Sequence, residues 1–263
     1  MSASTSANFS IKKFDPKTMP DSPVIVAIAK RRSGKSFLVR DLMYQMRKRF
    51  VGGIVMSATE EANGFYEDMG VPQAYIYHEF DEGALERLIE TQKKLTKAGK
   101  VQPVFVILDD VAYNKTIFNR SVIRQLALNG RHYKITVIIA LQYALDMSPA
   151  IRSNVDYVML LRDNVNRQRL FKNFFDGLLP NFAFFNELMD NCTTDYRTLI
   201  LDNAAHSTNL SDIISWYKAK DHKKFRVGSE NYYRFSTKKL KREGSKEDAG
   251  FREKKKRGIK LLH

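Results

Sequence analysis

Apolar residues fall along this chain in short unbroken blocks: SPVIVAIA at 22–29, GGIVMS at 52–57, VFVILDD at 104–110, ITVIIALQ at 135–142 and DYVMLLR at 156–162. Blocks of this length, rich in β-branched residues and bounded by turn formers, read as strands buried on both faces. AYIYHEF at 74–80 is a weaker candidate. Between the blocks the period changes to that of a helix. SFLVRDLMYQMRKRF places Phe37, Leu38, Leu42, Met43 and Met46 on one side and crowds Lys and Arg into its last turn, where the helix dipole favours them. EGALERLIETQKKLTKAG is a polar-faced helix closed by Gly99, TIFNRSVIRQLALNG is another, and residues 164–192 read as helical. TLILDN at 198–203 and the stretch from Trp216 to Ser236 read as extra strands with no derivable place.

Strands alternating with helices predict an α/β, three-layer protein with a mainly parallel central sheet, extra C-terminal strands and a basic tail. The expected division is an N-terminal arm over 1–20, one globular domain over 21–236, and a basic, disordered tail over 237–263. The tail lacks apolar periodicity and mixes charge with Gly and Ser.

Charge adds a partner class. The chain carries 44 Lys and Arg against 29 Asp and Glu, a formal net charge of +15. Residues 238–263 hold 11 basic and four acidic residues, so the body stays basic without them. A field of that sign attracts a polyanion, nucleic acid or anionic lipid. The tail alone also fits a solubilising segment or a nuclear localisation signal. No apolar stretch approaches the roughly 20 residues needed to span a bilayer, and the opening MSASTSANFSIKKF has no signal-peptide core, so a soluble, unsecreted chain is expected. A lone cysteine, Cys192, suits reducing surroundings and plain packing.

The candidate chemistry sits at the ends of the apolar blocks. Ala29-Lys30-Arg31-Arg32-Ser33-Gly34-Lys35-Ser36 has the G-x-x-x-x-G-K-[ST] spacing of a phosphate loop, with Ala29 in place of the first glycine. It leaves a predicted strand and opens a predicted helix that continues with Phe37, which aims backbone N–H groups at nucleotide phosphates. Lys35 then reaches the β- and γ-phosphates, Ser36 ligates Mg2+, and Gly34 lets the backbone approach closely. An alanine at position 29 is tolerated if its φ is negative. Asp109 and Asp110 end the VFVILDD strand, where ligands bind in parallel sheets. Asp109 suits Mg2+ through water, and Asp110 suits polarising an attacking water, although an Asp there also serves as a helix cap. Gln142 ends the next strand as an amide able to sense a γ-phosphate, or as a solvated strand end. Arg131, in NGRH just before that strand, is placed either to neutralise a neighbouring subunit's γ-phosphate or as a solvated surface charge; Arg152 and Arg162 are weaker candidates.

Taken in order, AKRRSGKS, VFVILDD and NGRHYKITVIIALQ resemble the genome-packaging ATPases of large eukaryotic DNA viruses, a branch of the FtsK and HerA group of P-loop DNA translocases, over roughly residues 20–205. The resemblance implies a sheet of strand order 5-1-4-3-2, ATP and Mg2+ as ligands, a homo-oligomeric ring of five or six subunits, and ATP-driven threading of double-stranded DNA into a capsid. It also implies a setting at the viral assembly site in the host cytoplasm or in the virion, with the nucleus as an alternative. By the same likeness Lys35 and Ser36 match the phosphate-loop positions, Asp109 and Asp110 the strand acids, Gln142 the polar sensor and Arg131 the trans-acting arginine. Ala29, and an Asp at 110 where related motors carry Glu, depart from the pattern. Two rivals share the loop: a nucleoside or nucleotide kinase with RDNVNRQR as a phosphate lid, and a nucleotide-gated DNA-binding protein with little turnover.

Overall fold

In the computed structural model, which describes residues 10–60, 64–111, 116–143 and 147–241, the apolar blocks lie side by side in one sheet. Its strands are β1 (Lys12–Lys13), β2 (Val24–Ile28), β3 (Gly52–Ser57), β4 (Ile76–Tyr77), β5 (Val104–Asp109), β6 (Ile135–Leu141), β7 (Tyr157–Leu160), β8 (Arg197–Asp202) and β9 (Ile214–Lys218). They are arranged β1-β9-β8-β7-β2-β6-β5-β3-β4. The inner five, β7-β2-β6-β5-β3, are all parallel and, counted from β2, run fifth, first, fourth, third, second. The expected order therefore describes only the middle of a larger, mixed sheet: β8 pairs antiparallel with both β7 and β9, and the two-residue strands β1 and β4 extend the edges. AYIYHEF contributes only Ile76 and Tyr77 to the sheet, because Ala74 and Tyr75 belong to a 3-10 turn and His78 to Phe80 lead on to the next helix.

Up to residue 213 the α-helices bounded within the described residues are α1 (Lys35–Met46), α2 (Phe65–Asp68), α3 (Glu82–Lys97), α4 (Ser121–Asn129), α5 (Pro149–Arg152), α6 (Arg167–Leu170), α7 (Phe182–Cys192) and α8 (Leu210–Ile213). Strand alternation sorts the core into two halves. Val24, Val26 and Ile28 of β2 face α3, α4 and α7, while Ile25 and Ala27 face α1 through Leu38, Leu42 and Met43. Both faces are covered, which is why the central strands read as unbroken apolar runs. Local signals set the ends of α3: the Asp81 carboxylate accepts from the Ala84 N–H at 2.8 Å, and Gly99 follows in the left-handed region at φ +67°. The helix expected over 164–192 is interrupted. After α6 and a π turn at Phe171–Phe175 the chain breaks through Gly177 and Pro180, and α7 restarts on the Asn181 cap.

The domain is larger than the sequence suggests. Lys12 and Lys13 pair with Ser215 and Trp216, and Phe14 and Met19 are buried, so the expected arm over 1–20 belongs to the fold from about residue 12. At the other end β9 is a strand, but residues 230–241 are helical where strand was expected, and the first five residues of the expected tail continue that helix. Residues 242–263 of the tail lie outside the described residues. This last helix docks through Tyr232, which stacks on Tyr75 and donates from its hydroxyl to the Gly53 carbonyl at 2.6 Å. Gly53 itself faces Phe105 across the β3–β5 pair, where a Cβ would lie 2.3 Å from the Phe105 carbonyl oxygen.

A polar knot ties α1 to the end of β9. Asp41, wholly buried, accepts from the Tyr217 hydroxyl at 2.6 Å, the Lys220 N–H at 2.8 Å and Gln45 Nε2 at 3.0 Å, and lies 2.6 Å from His222 Nε2. His222 in turn stacks on Tyr44 with ring centroids 3.7 Å apart. Burial alone would raise the Asp41 carboxyl, but these hydrogen bonds outweigh it and hold the group below its ordinary value.

Two stability measurements follow from this packing. Gly53→Ala must push β3 from β5, and denaturant unfolding is expected to show a loss of about 1–3 kcal/mol, the usual cost of an overpacked core. Asp41→Asn keeps the shape but loses the charge and an acceptor, and is expected to cost about 1–3 kcal/mol at neutral pH. Because the Asp41 carboxyl is held low, its contribution is complete above the unfolded carboxyl's value near ~4 and fades as pH falls through the folded one. The gap between wild type and Asp41→Asn should therefore narrow on acidification; a gap that widens would contradict it.

Candidate nucleotide site

At the carboxyl end of β2 the chain makes the turn that the sequence motif requires. Ala29 still pairs with the sheet, its N–H donating to the Leu141 carbonyl at 3.0 Å, and it is fully buried without positive φ. Alanine in place of the first glycine thus extends a strand and strains nothing. Ser33 donates from N–H and hydroxyl to the Lys30 carbonyl, closing the loop, while Arg32 and Gly34 take left-handed φ values of +62° and +97°. A Cβ at Gly34 would meet only ordinary contacts with Tyr196 and Leu161, so glycine is demanded here by backbone conformation more than by close approach.

Helix α1 then begins with Lys35, no side chain caps it, and no acid lies in its first turn. Its N-terminal N–H groups are left for an outside acceptor, at the end of the helix that favours negative charge. The groove beside it encloses about 1300 Å3, and its wall includes Lys30, Arg31, Arg32, Ser36 and Phe37. Ser33 shapes the loop from behind.

Strand β5 delivers the acids. Lys35 Nζ lies 2.5 Å from Asp110 Oδ1 and 3.2 Å from Asp109 Oδ1. Asp110 continues the sheet through its N–H to the Ala140 carbonyl at 3.2 Å, yet has φ +51°, which turns its side chain back across the sheet end. Asp109 is buried and accepts from the Tyr66 hydroxyl at 2.8 Å. Its Oδ1 is near the Lys35 charge but lacks hydrogen-bonding geometry to any partner. Burial pushes the Asp109 carboxyl up, against the pull of Lys35. Tyr66, buried and facing that acid, has its phenol pushed well up and stays a neutral donor. The Glu60 carboxylate fixes Tyr66 by accepting from the Tyr66 and Glu67 N–H groups at 2.8–2.9 Å.

A buried carboxylate oxygen held by an ion pair alone, without a hydrogen bond, fits a divalent cation. Among the described residues no cluster of three or more His, Cys, Asp or Glu could hold a metal by itself. The donor set therefore suits an ion that brings oxygens of its own, as Mg2+ does on a phosphate.

Gln142 lies just past β6 on the groove wall, half-buried. Arg131 lies elsewhere. It stands in the turn Gly130–Tyr133 before β6, at the opposite end of the sheet from the groove of its own chain, 3.6 Å from Asp156. Asp156 also accepts from the Val24 N–H at 2.8 Å, so Arg131 borders the amino ends of β2, β6 and β7. Arg152 donates to the Met147 carbonyl, whereas Arg162 is exposed directly after Leu161 of the groove wall. The phosphate-lid alternative loses its central member: Arg167 is spent on Asp163, Asn186 and Asp190. Sequence reasoning missed Tyr66 and Glu60, for which no motif exists, and the aromatic end of the groove at Tyr196.

Among the described residues no helix is long and apolar enough to cross a membrane. No family model matches the chain. Solved structures of similar shape include the genome packaging NTPase from Sulfolobus turreted icosahedral virus 2, with TM-score 0.55 and 16% identity over 78% of this chain and 100% of that one. Another is the pCW3 conjugation coupling protein TcpA, with TM-score 0.53 and 17% identity over 84% of this chain and 65% of that one. At such identities they establish a shared α/β fold. Sequence relatives stand much nearer. An uncharacterised protein of Invertebrate iridescent virus 3 is 38% identical over 74% of this chain and 75% of its own length. One of Frog virus 3 is 34% identical over 82% and 68%. One of Acanthamoeba polyphaga mimivirus is 34% identical over 85% of this chain and 82% of its own length, and the chain thus belongs to a viral protein family with members in mimivirus and iridescent viruses.

Proposed function

We propose that the chain is an ATP-hydrolysing motor that moves double-stranded DNA and packages a viral genome into a capsid. The observation that carries the proposal is the placement of Lys35 between Asp109 and Asp110, under an uncapped helix N-terminus at the mouth of the groove. Support comes from relatives that are all viral and from a fold shared with a viral genome packaging NTPase, which has been crystallised with ATP-gammaS.

In this reading the α1 N–H groups and Lys35 take the β- and γ-phosphates. Ser36 and Asp109 would hold Mg2+, which when bound neutralises phosphate charge. The triphosphate competes with Asp110 for the Lys35 ammonium, and the carboxylate so released accepts the proton of the attacking water, which Gln142 orients. In a ring of five or six copies, the amino edge of one sheet abutting the next groove would let Arg131 add its charge to a neighbour's γ-phosphate. The exposed Lys30, Arg31 and Arg32 and the basic tail suit sequence-independent grip on DNA phosphates, with the capsid as docking partner.

The first test is phosphate release from ATP with and without duplex DNA. Wild type should be stimulated by DNA, and Lys35→Ala should lose at least about a hundredfold of that turnover. Turnover indifferent to DNA would overturn the motor, and tight ATP binding without phosphate release would favour a nucleotide-gated DNA-binding protein. DNA affinity should also fall steeply between low and moderate salt, and deleting residues 238–263 should flatten that dependence. Arg131→Ala should bind ATP as wild type does yet lose stimulated turnover; unchanged turnover with a lowered melting temperature would leave Arg131 only its pairing with Asp156.

A further inference from the structure

The groove has a second end that the phosphate chemistry does not use. Strand β2 has β6 and β5, with the acids, on one side and β7, β8 and β9 on the other. A nucleoside triphosphate whose γ-phosphate meets Lys35, Asp109 and Asp110 must run its sugar and base the other way, toward β8. There the wall holds Tyr196, Thr198 and Leu161.

Tyr196 is an odd residue for its place. It sits in a tight turn closed by the Arg197 N–H donating to the Thr194 carbonyl at 3.1 Å, and both central residues, Asp195 and Tyr196, have φ +55°. Turns of this kind favour Gly or Asn, and a left-handed tyrosine is strained. The strain serves no core, since the side chain is 69% exposed. The turn is nevertheless braced: Lys218 donates to Asp195 at 2.5 Å, and Arg197 donates twice to Thr194. The braced ring stands beside the phosphate loop, its Cδ1 3.4 Å from where a Gly34 Cβ would be. Below it the Thr198 hydroxyl is buried on the same wall without a hydrogen-bond partner. Backbone strain at an exposed aromatic beside a ligand groove is explained when the ring itself is the contact surface.

We infer that Tyr196 is the stacking platform for the nucleobase, fixing the purine or pyrimidine ring of the bound triphosphate at the β8 end of the groove. This inference rests on reading the groove as a nucleotide site. An aromatic face accepts any base by stacking, so Tyr196 supplies affinity for the nucleoside half of the ligand independently of its phosphates.

Calorimetric titration of the full chain with Mg2+ and two probes tests this: the non-hydrolysable analogue AMPPCP and inorganic tripolyphosphate, which has no base. Tyr196→Ala should weaken AMPPCP roughly 5- to 150-fold, the range measured for base–aromatic stacking, and leave tripolyphosphate unchanged. Tyr196→Phe, which keeps the ring face, should bind both as wild type does. The platform is overturned, and the nucleotide site survives, if Tyr196→Ala binds AMPPCP normally, weakens both probes in equal proportion, or is matched in its loss by Tyr196→Phe. If wild type binds neither probe, the nucleotide reading falls and this inference with it.

Discussion

One charge balance organises the working end of this molecule: the Lys35 ammonium, nearly buried, sits against two carboxylates that are themselves poorly solvated. A lone buried cation or a lone buried Asp109 would be costly, and each makes the other tolerable. The arrangement constrains its surroundings. Tyr66 must supply a hydroxyl to Asp109, Glu60 must hold Tyr66, and β2 and β5 must end level with one another, which β6 between them ensures by pairing with both in register. Asp110 reaches Lys35 only by adopting a left-handed backbone. The pairing is also unfinished, because Asp109 Oδ1 stays without a hydrogen bond and the first turn of α1 stays without a cap. An anion accompanied by a cation completes both.

Much of this was legible in the residue pattern, for a physical reason. Unbroken apolar blocks report strands covered on both faces, and the loop AKRRSGKS and the acids of VFVILDD lie at their ends, so strand, loop and site could be placed together. What stayed hidden depends on long-range partners. The strands at the sheet edges read poorly because β1 and β4 are two residues each, and an edge pair is fixed by what it docks against. The stretch from Trp216 to Ser236 mixes aromatic and charged residues at no single period. Its later half is helical and docks through contacts remote in sequence, Tyr232 to the Gly53 carbonyl and Tyr233 to the Gly70 carbonyl. The interruption at Gly177 and Pro180 is the exception, since both residues break a helical pattern locally.

The site shows the same division. Residues contributed by consecutive motif positions were found, whereas those brought in from afar were not. Tyr66 arrives from a four-residue helix and Tyr196 from a turn, and neither carries a local signature. Arg131 and Gln142 stand close in sequence, but strand β6 lies between them and sends the two to opposite ends of the sheet.

The knot around Asp41 bears on how the groove can open. Asp41 belongs to the helix that begins under the phosphate loop, while Tyr217 and Lys220, which it holds, flank Lys218 and Ala219 of the far wall. Floor and far wall are thereby clamped into one block, and widening the groove between them would break several buried hydrogen bonds at once.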